Sequence, residues 1–518
     1  MIEVRRILVA GVATLALLTG CASLPPPQDR IASTAFTDTA DTRLGRTVVP
    51  TVAAHPGLSG IHKFPEPHDA FAARVLLAAA AQRSLDAQYF IWHGDEVGNL
   101  LFEALWKAAE RGVRVRLLLD DANTSGLDPT IAALDAHPNF EVRLYNPFVY
   151  RGSRVLGYLT DFTRLNRRMH NKSFTVDNQV TVVGGRNIAN EYFGAGSGIG
   201  FADLDVLAVG PVVQEVSKEF DLYWNSASAY RAAALVGTAA PDGAASLEAR
   251  FAATHGNPVA VDYVKAVRGS TLVTELQTRQ LALQWTPARV LYDDPAKTLD
   301  TAERTDVLLF PEMMKRLGRP EESFDIVSPY FVPGDQGTPL LAELARRGVK
   351  VRILTNSLAA SDESIVHAGY MKRRRELLLA GVALYELKPT AMYEKDPKVK
   401  GQFGSGKAAG LHAKTYAVDR ARIFVGSFNF DLRSARLNTE MGIVIDSPVF
   451  AGDLATFFDT SVPQLAYEVR LAPTGDGLIW IERTASGEEK RYDVDPETDG
   501  FKRWKVEVLS TLPIDWLL

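Results

Sequence analysis

Two histidines in this chain carry the same set of companions. Met169-His170-Asn171-Lys172 leads on to Asp177, Gly184-Gly185 and Asn187, and Leu411-His412-Ala413-Lys414 leads on to Asp419, Gly426-Ser427 and Asn429. Counted from each histidine, lysine stands at +2, aspartate at +7, glycine at +14 and asparagine at +17. A lone histidine in an apolar strand is usually structural. With each residue type at roughly 5%, one such match arises on the order of 10⁻⁵ per histidine. Of the nine histidines, only these two have lysine at +2. Imidazole titrates near working pH, so it can serve as nucleophile or as general acid and base. Residues i and i+2 of a strand share a face. Each lysine therefore stands beside its histidine, where it can stabilise developing negative charge.

The elements around these motifs also repeat. Glu110-Arg111-Gly112-Val113-Arg114-Val115-Arg116-Leu117-Leu118 returns as Arg346-Arg347-Gly348-Val349-Lys350-Val351-Arg352-Ile353-Leu354. Each copy reads as a helix ending at a glycine, followed by a strand. Upstream, Leu85 to Phe90 echoes Phe324 to Phe331, and downstream Val142 to Tyr145 echoes Val382 to Tyr385. The offset is 236 at the glycines and 240 at the tyrosines, so the chain holds two homologous halves. Strands alternating with helices make each half α/β. The boundaries read as a leader over 1–20, a tether over 21–63, half 1 over 64–234, a poorly patterned connection over 235–304, half 2 over 305–460 and a tail over 461–518. Within the tail, Leu478 to Ile481 and Arg491 to Val494 predict a β-hairpin, and Phe501 to Leu518 an amphipathic close.

His-x-Lys-x4-Asp, twice in one chain, resembles the phospholipase D superfamily from about residue 65 to the end. Arg164 to Lys172, Gly185-Arg186-Asn187-Ile188, Glu191-Tyr192-Phe193, Ala202 to Val206, Asp294 to Lys297 and the closing Leu512 to Leu518 look like its bacterial class C cardiolipin synthases. The resemblance implies two α/β sandwich halves related by a pseudo-two-fold, with the active site at their interface. It implies a phosphohistidine intermediate, with His170 as nucleophile and His412 as general acid. The catalytic set it implies is His170, Lys172, Asp177, His412, Lys414 and Asp419. Asp177-Asn178, however, sits between two short apolar runs and also reads as a turn. Asn187 and Asn429 would donate to phosphate oxygens, and Gly185 and Ser427 are small enough to let phosphate approach. The family's pattern pairs Glu440 with His412, and Asp203 (or its neighbour Asp205) with His170, to fix each tautomer. No metal or cofactor is expected, since the lysines supply the positive charge. The implied activity is phosphatidyl transfer between glycerophospholipids such as phosphatidylglycerol and phosphatidylethanolamine. The alternatives at this stage are hydrolysis to phosphatidic acid, a nuclease, and a catalytically dead envelope protein.

Arg5 and Arg6 followed by the apolar run Ile7 to Leu18 have the layout of a secretion signal. Cys21, the only cysteine, ends Leu18-Thr19-Gly20-Cys21, which resembles a bacterial lipobox. A lipid anchor on Cys21 follows, and with Ala22 next the pattern leans to the periplasmic face of the outer membrane. One cysteine excludes an internal disulfide. A net charge of −5, from 57 basic and 62 acidic residues, argues against bulk affinity for nucleic acid. Arg167 and Arg168 could meet a lipid phosphate or stay solvated, and Lys372 to Arg375 reads as an exposed helix face. Ser434 reads as a cap or a support for the site. Asp120-Asp121 lacks the further ligands a metal needs. Tyr89, Phe90, Tyr330 and Phe331 end equivalent strands and could line an acyl path or pack in the core. Whether a partner protein is required stays open.

Overall fold

The structure is a computed structural model that describes residues 24–25, 31–195, 200–278, 280–299, 308–390, 409–473, 475, 477–484 and 487–513. The leader and Cys21 lie outside the described residues, as does the end of the tail from residue 514. Among the described residues no helix is long and apolar enough to cross a membrane.

Half 1 contributes strands β1 (Ser59–Phe64), β2 (Ser84–Tyr89), β3 (Arg114–Asp120), β4 (Phe140–Tyr145), β5 (Ser173–Val176), β6 (Val180–Gly184), β7 (Gly200–Ala202), β8 (Asp205–Val209) and β9 (Ala229–Arg231). The connection adds β10 (Gln284–Thr286) and β11 (Ala288–Tyr292). Half 2 and the tail give β12 (Ser323–Val327), β13 (Lys350–Asn356), β14 (Ala383–Leu387), β15 (Ala409–Leu411), β16 (Lys414–Val418), β17 (Arg422–Gly426), β18 (Met441–Ile445), β19 (Ala466–Leu471), β20 (Leu478–Arg483) and β21 (Glu489–Tyr492). One sheet runs β10-β1-β8-β6-β5-β2-β3-β4-β9, the other β11-β18-β17-β16-β12-β13-β14-β19-β20-β21. The series from β1 to β9 and from β11 to β19 match strand for strand, so the repeat read in the sequence is a repeat of topology. In each, three parallel strands (β2-β3-β4 and β12-β13-β14) adjoin an antiparallel set.

The two sheets meet face to face. Along a strand alternate side chains point to opposite faces, and here the two faces serve different cores. Val182 and Leu207 join the outer core of half 1 under its helices, while Val183, Val206 and Ala208 point to the interface. Phe424 and Val444 likewise face the outer core of half 2, and Val425, Ile443 and Ile445 meet half 1. Each buried Val or Ile contributes about 1.5–3 kcal/mol relative to exposure. The interface is therefore a third core that fixes one half against the other. The glycine that ends each long helix is a conformational requirement: Gly112 has φ +89° and Gly348 +92°, with open space where a Cβ would sit.

Several sequence expectations are corrected. The tether does not extend to residue 63. Arg43–Ala53 is a helix, and β1 lies inside the first sheet. Residues 31–42 form a strap on half 1, held by Arg116 donating to Ser33 O (2.9 Å), Arg143 to Ile31 O (2.7 Å) and Asn178 to Phe36 O (2.9 Å). Such a strap has no apolar periodicity because side chains from elsewhere hold its backbone. The connection is not structureless: helices Gly243–Gly256, Pro258–Arg268 and Thr271–Gln277 pack Leu247, Phe251, Tyr263, Val267 and Leu272 into half 1. The Lys372–Arg375 run is not simply a solvated face. Arg374 is buried against Glu386 (3.0 Å) and Asp495 (2.9 Å), and Lys372 and Arg375 donate to carbonyls of the tail. The predicted hairpin is present as β20 and β21, and Gly500–Ser510 is helical.

Asp177 and Asp419 are also corrected. Each follows the far end of the strand whose start adjoins its histidine. Asp177 (φ +51°) accepts from the backbone N–H of Gln82, Arg83 and Ser84, and Asp419 (φ +52°) from those of Glu321, Glu322 and Ser323. A short polar residue tolerates the left-handed conformation. These carboxylates tie the start of β2 and β12 to the neighbouring turn and take no part in the chemistry. Asp177→Ala and Asp419→Ala are each expected to lower stability by about 3 kcal/mol, through loss of charge-assisted hydrogen bonds. Denaturant unfolding should show that loss, while the folded fraction keeps its histidine geometry by NMR.

Candidate active site

The segments that carry the histidines are stitched to the opposite half. Before β5, Met169 pairs in parallel with Thr439: His170 N donates to Thr439 O (2.8 Å) and Thr439 N to Arg168 O (2.9 Å). Before β16, β15 pairs in parallel with β7, and His412 N donates to Ala202 O (2.8 Å). In both cases the accepting carbonyl belongs to the residue just before an acid. The acid is thereby delivered to the histidine of the other half. His170 Nδ1 meets Glu440 Oε2 at 2.8 Å, and His412 Nδ1 meets Asp203 Oδ2 at 2.6 Å. The expected pairing, Glu440 with His412 and Asp203 with His170, is thus reversed. The sequence shows which acid follows which strand, but the partner depends on how the halves face each other. Asp205, the fallback, is a structural ion-pair partner of buried Arg74 (2.9 Å).

These contacts fix the tautomers. His170 Nδ1 also lies 3.1 Å from Ser427 O, and a carbonyl can only accept, so Nδ1 carries the proton. The ionised Asp203 imposes the same on His412. Nε2 of each ring is then the free lone pair. Each histidine is only 7% exposed, so reaction takes place in a nearly closed site. Phe90 stands edge-on to His170 (5.1 Å), and Tyr192 edge-on to His412 (4.9 Å).

Lys172 Nζ donates to His170 O (2.6 Å), and Lys414 Nζ to His412 O. An ammonium has three donors, so each lysine keeps capacity for an anion. Burial pushes Lys172 down to about 7 and Lys414 to about 8. Burial, then the lysines, lowers both imidazoles, so both rings are neutral in the empty site. His170 feels Lys414 as well as Lys172, and His412 feels Lys172 as well as Lys414. The two motifs therefore share one electrostatic site. The two acids differ. Burial raises Glu440 to about 7, whereas Asp203, although also buried, is held down to about 2 by His412 and Lys414.

The remaining expectations divide. Ser427 does not serve phosphate: its hydroxyl donates to Glu440 Oε2 and accepts from Met441 N (3.0 Å). Gly185 makes room for an acid, since a Cβ there would lie 2.1 Å from Asp203 Oδ1. Asn187 fits its expected role better: Oδ1 accepts from Ile91 N (3.1 Å), and Nδ2 is buried without a hydrogen-bond partner. Asn429 likewise has a buried amide oxygen without one. Ser434 supports the site, donating to Glu440 Oε1 (2.8 Å). Arg168 neither meets phosphate nor stays solvated. It is buried on Asp120 (2.7 Å), whose other oxygen accepts from Met169 N (2.8 Å). Asp121 pairs with Arg151 (2.5 Å) and Arg154 (3.1 Å). Of the strand-end aromatics, Phe90 borders His170 while Tyr89 and Phe331 lie in the two outer cores.

Two supports escaped the sequence reading. Asp293 accepts from Glu440 N (2.9 Å) and pairs with Lys297 (2.9 Å), which reaches Ser434 O (2.8 Å). The Asp120–Arg168 pair fixes the strand before His170. Asp294 to Lys297 stood out in the sequence only as wording, because nothing local says that this segment underlies Glu440. His93, Asp95 and Glu191 cluster closely enough to suggest a cation site, but Asp95 uses both oxygens on Gly98 N (2.9 Å) and Asn190 N (2.8 Å).

Known proteins resemble this chain along most of its length. A family model described as "Cardiolipin synthase, PLD-like domain" matches twice, over residues 76–224 and 313–462. "Cardiolipin synthase C" of Escherichia coli is 46% identical over 477 residues, covering 92% of this chain and all of that one. "Cardiolipin synthase A" of Klebsiella pneumoniae is 25% identical, over 81% of this chain and 71% of its own. The phosphatidylserine synthase structure from Haemophilus influenzae superposes with a TM-score of 0.55 at 12% identity, covering 90% of this chain and 96% of that one. That last likeness is one of fold.

The crossed pairing has a direct test. Glu440→Gln should shift the imidazole ¹⁵N resonances of His170 and leave those of His412, and Asp203→Asn should do the reverse. Pairing within a half would give the opposite pattern.

Proposed function

The chain belongs to the cardiolipin synthase family of phospholipase D-like enzymes, and we propose that it moves a phosphatidyl group from one glycerophospholipid to the head-group hydroxyl of another. The reading is carried by two imidazoles protonated at Nδ1, on opposite halves, each with a buried lysine beside it. In this reading a phosphodiester anion lies between them. Burial and the lysine field together keep the imidazoles neutral, and the anion's charge offsets the second, so its arrival lets one ring take up a proton.

In this reading His170 Nε2 attacks phosphorus. The N–P bond forms as the bond to the donor's head-group oxygen breaks, and protonated His412 gives its Nε2 proton to that oxygen. The acceptor hydroxyl then enters. His412 takes its proton, the new O–P bond forms, and the N–P bond breaks. Covalent catalysis splits one hard displacement into two easier ones. The unequal acids favour this assignment. Asp203, firmly ionised, stabilises an imidazolium on His412, which suits the proton donor. Lys172 and Lys414 hold the non-bridging oxygens as charge redistributes. With phosphatidylglycerol as acceptor the product is cardiolipin, and phosphatidylglycerol or phosphatidylethanolamine can be the donor.

Purified protein in vesicles of these two lipids, with chelator, should form cardiolipin, seen by lipid mass spectrometry. His170→Ala and His412→Ala should each reduce turnover by at least about 10³-fold. Rapid quench of the wild type in neutral denaturant should trap a phosphatidyl group on His170, since the N–P bond is lost in acid. Phosphatidic acid as the sole product would replace the transferase reading with hydrolysis.

We further propose that Cys21 is acylated and holds the enzyme at the periplasmic face of the outer membrane. The support is the leader and Leu18-Thr19-Gly20-Cys21, followed by Ala22 and not by an aspartate. Only ten residues separate Cys21 from Ile31 of the strap, so the reach is at most about 35 Å. Cys21→Ala should abolish metabolic labelling by palmitate and move the protein out of the outer-membrane fraction. Unchanged fractionation would remove the anchor.

A further inference from the structure

Two exposed apolar patches lie on elements that lead to the site, one in half 1 and one in the tail. The first is the helix Arg154–Thr160 with the turn after it, where Val155 (71%), Leu156, Tyr158, Leu159 (79%) and Phe162 face solvent. A soluble protein has little reason to expose five such side chains within eight residues. This segment runs straight into the strand before His170: Asn166, four residues ahead of the histidine, accepts from Arg433 at both Oδ1 (2.8 Å) and O (2.7 Å). The second is the helix Gly500–Ser510. It packs Val506 inward against Leu358 and Ala368 and exposes Phe501 (71%), Trp504 (57%), Val508 and then Leu512. These fall at i, i+3, i+7 and i+11, a single stripe. The stripe is flanked by Lys502, Arg503 and exposed Lys505.

The second patch reaches the site through the element beneath it. The tail helix lies on Ser364–Met371, which follows Asp362. Asp362 accepts from the Tyr330 hydroxyl (2.9 Å) and acts on Lys414. Arg433 ties the first patch to the site, since it holds Asn166 and lies close enough to His170 to help lower its pKa.

We propose that these two patches form one docking face that seats the mouth of the site on a phospholipid bilayer. The inference rests on the phospholipid reading of the site and adds the surface by which substrate is met. The occupant follows from the chemistry. Aromatic and aliphatic tips with flanking cations match the interface between acyl chains and anionic head groups. Both patches lie on elements that lead to the histidines, so a two-chain lipid would need to leave the bilayer only as far as its phosphate.

The test uses the full chain with Cys21→Ser, so that an introduced cysteine is the only thiol. An environment-sensitive fluorophore is placed at Leu159→Cys, at Trp504→Cys and at Glu110→Cys, which lies at the end of the first sheet away from the histidines. With vesicles of phosphatidylethanolamine and phosphatidylglycerol, the labels at 159 and 504 should brighten and shift to the blue, and the label at 110 should not. In unlabelled protein, Leu159→Asp with Trp504→Asp should lower turnover of vesicle lipid at least about tenfold. Turnover of dihexanoyl phosphatidylglycerol as monomers should be unchanged. Silence at both sites would assign the face to a protein partner and overturn the proposal, as would response at one site alone. Labels that respond in a protein turning over no lipid would leave the docking face standing and remove the enzymatic reading. Turnover with silent labels would do the reverse.

Discussion

Two short backbone pairings across the interface set everything else in the site. Thr439 with the strand before His170, and Ala202 with the strand before His412, bring an acid from one half to the imidazole of the other. The tautomers, the free Nε2 atoms and the common field of the two lysines all follow from that stitching. The face-to-face core of Val183, Val206, Val425 and Ile443 supplies the rigidity, because pairings of one and three residues could not hold register alone. Structural ion pairs then pin both sides of the Met169–Thr439 pairing from behind, Asp120 with Arg168 on one and Asp293 with Lys297 on the other.

Burying the lysines is the expensive part of the design. Holding Lys172 at about 7 instead of 10.5 disfavours its charged form by about 5 kcal/mol. A phosphodiester returns much of that on arrival. An anion is thus the ligand that relieves the site, and a neutral molecule of the same size gains no such advantage. Burial and the same field keep both imidazoles neutral in the empty site, and an anion beside the lysines removes the second of these two causes.

The two-fold repeat, the α/β class and the paired histidines and lysines were legible in the sequence. Periodicity and spacing are local, and these features are local. What was missed lay in tertiary contacts. The acids were found but assigned to the wrong rings, because adjacency along the chain does not say which half a side chain faces. Asp177 and Asp419 shared the histidines' spacing and entered the catalytic set through the family resemblance, although the residues themselves also read as a turn. Their constancy reflects one turn built twice, with three backbone N–H groups on each carboxylate. The strap over 31–42 has no pattern of its own, since its partners are arginines of half 1.

The crossed acids also bear on ancestry. A half of this protein standing alone would own a histidine and a lysine but no acid for that histidine. Its acid would point at an absent partner. A single-copy forerunner could then have worked only as a symmetric dimer, exchanging acids between identical subunits. Duplication and fusion would free the two sites to differ, and they have done so: one imidazole now leans on a short, firmly ionised aspartate, the other on a longer glutamate braced by two serines. Division of labour between nucleophile and acid is what fusion permits and a symmetric pair cannot encode.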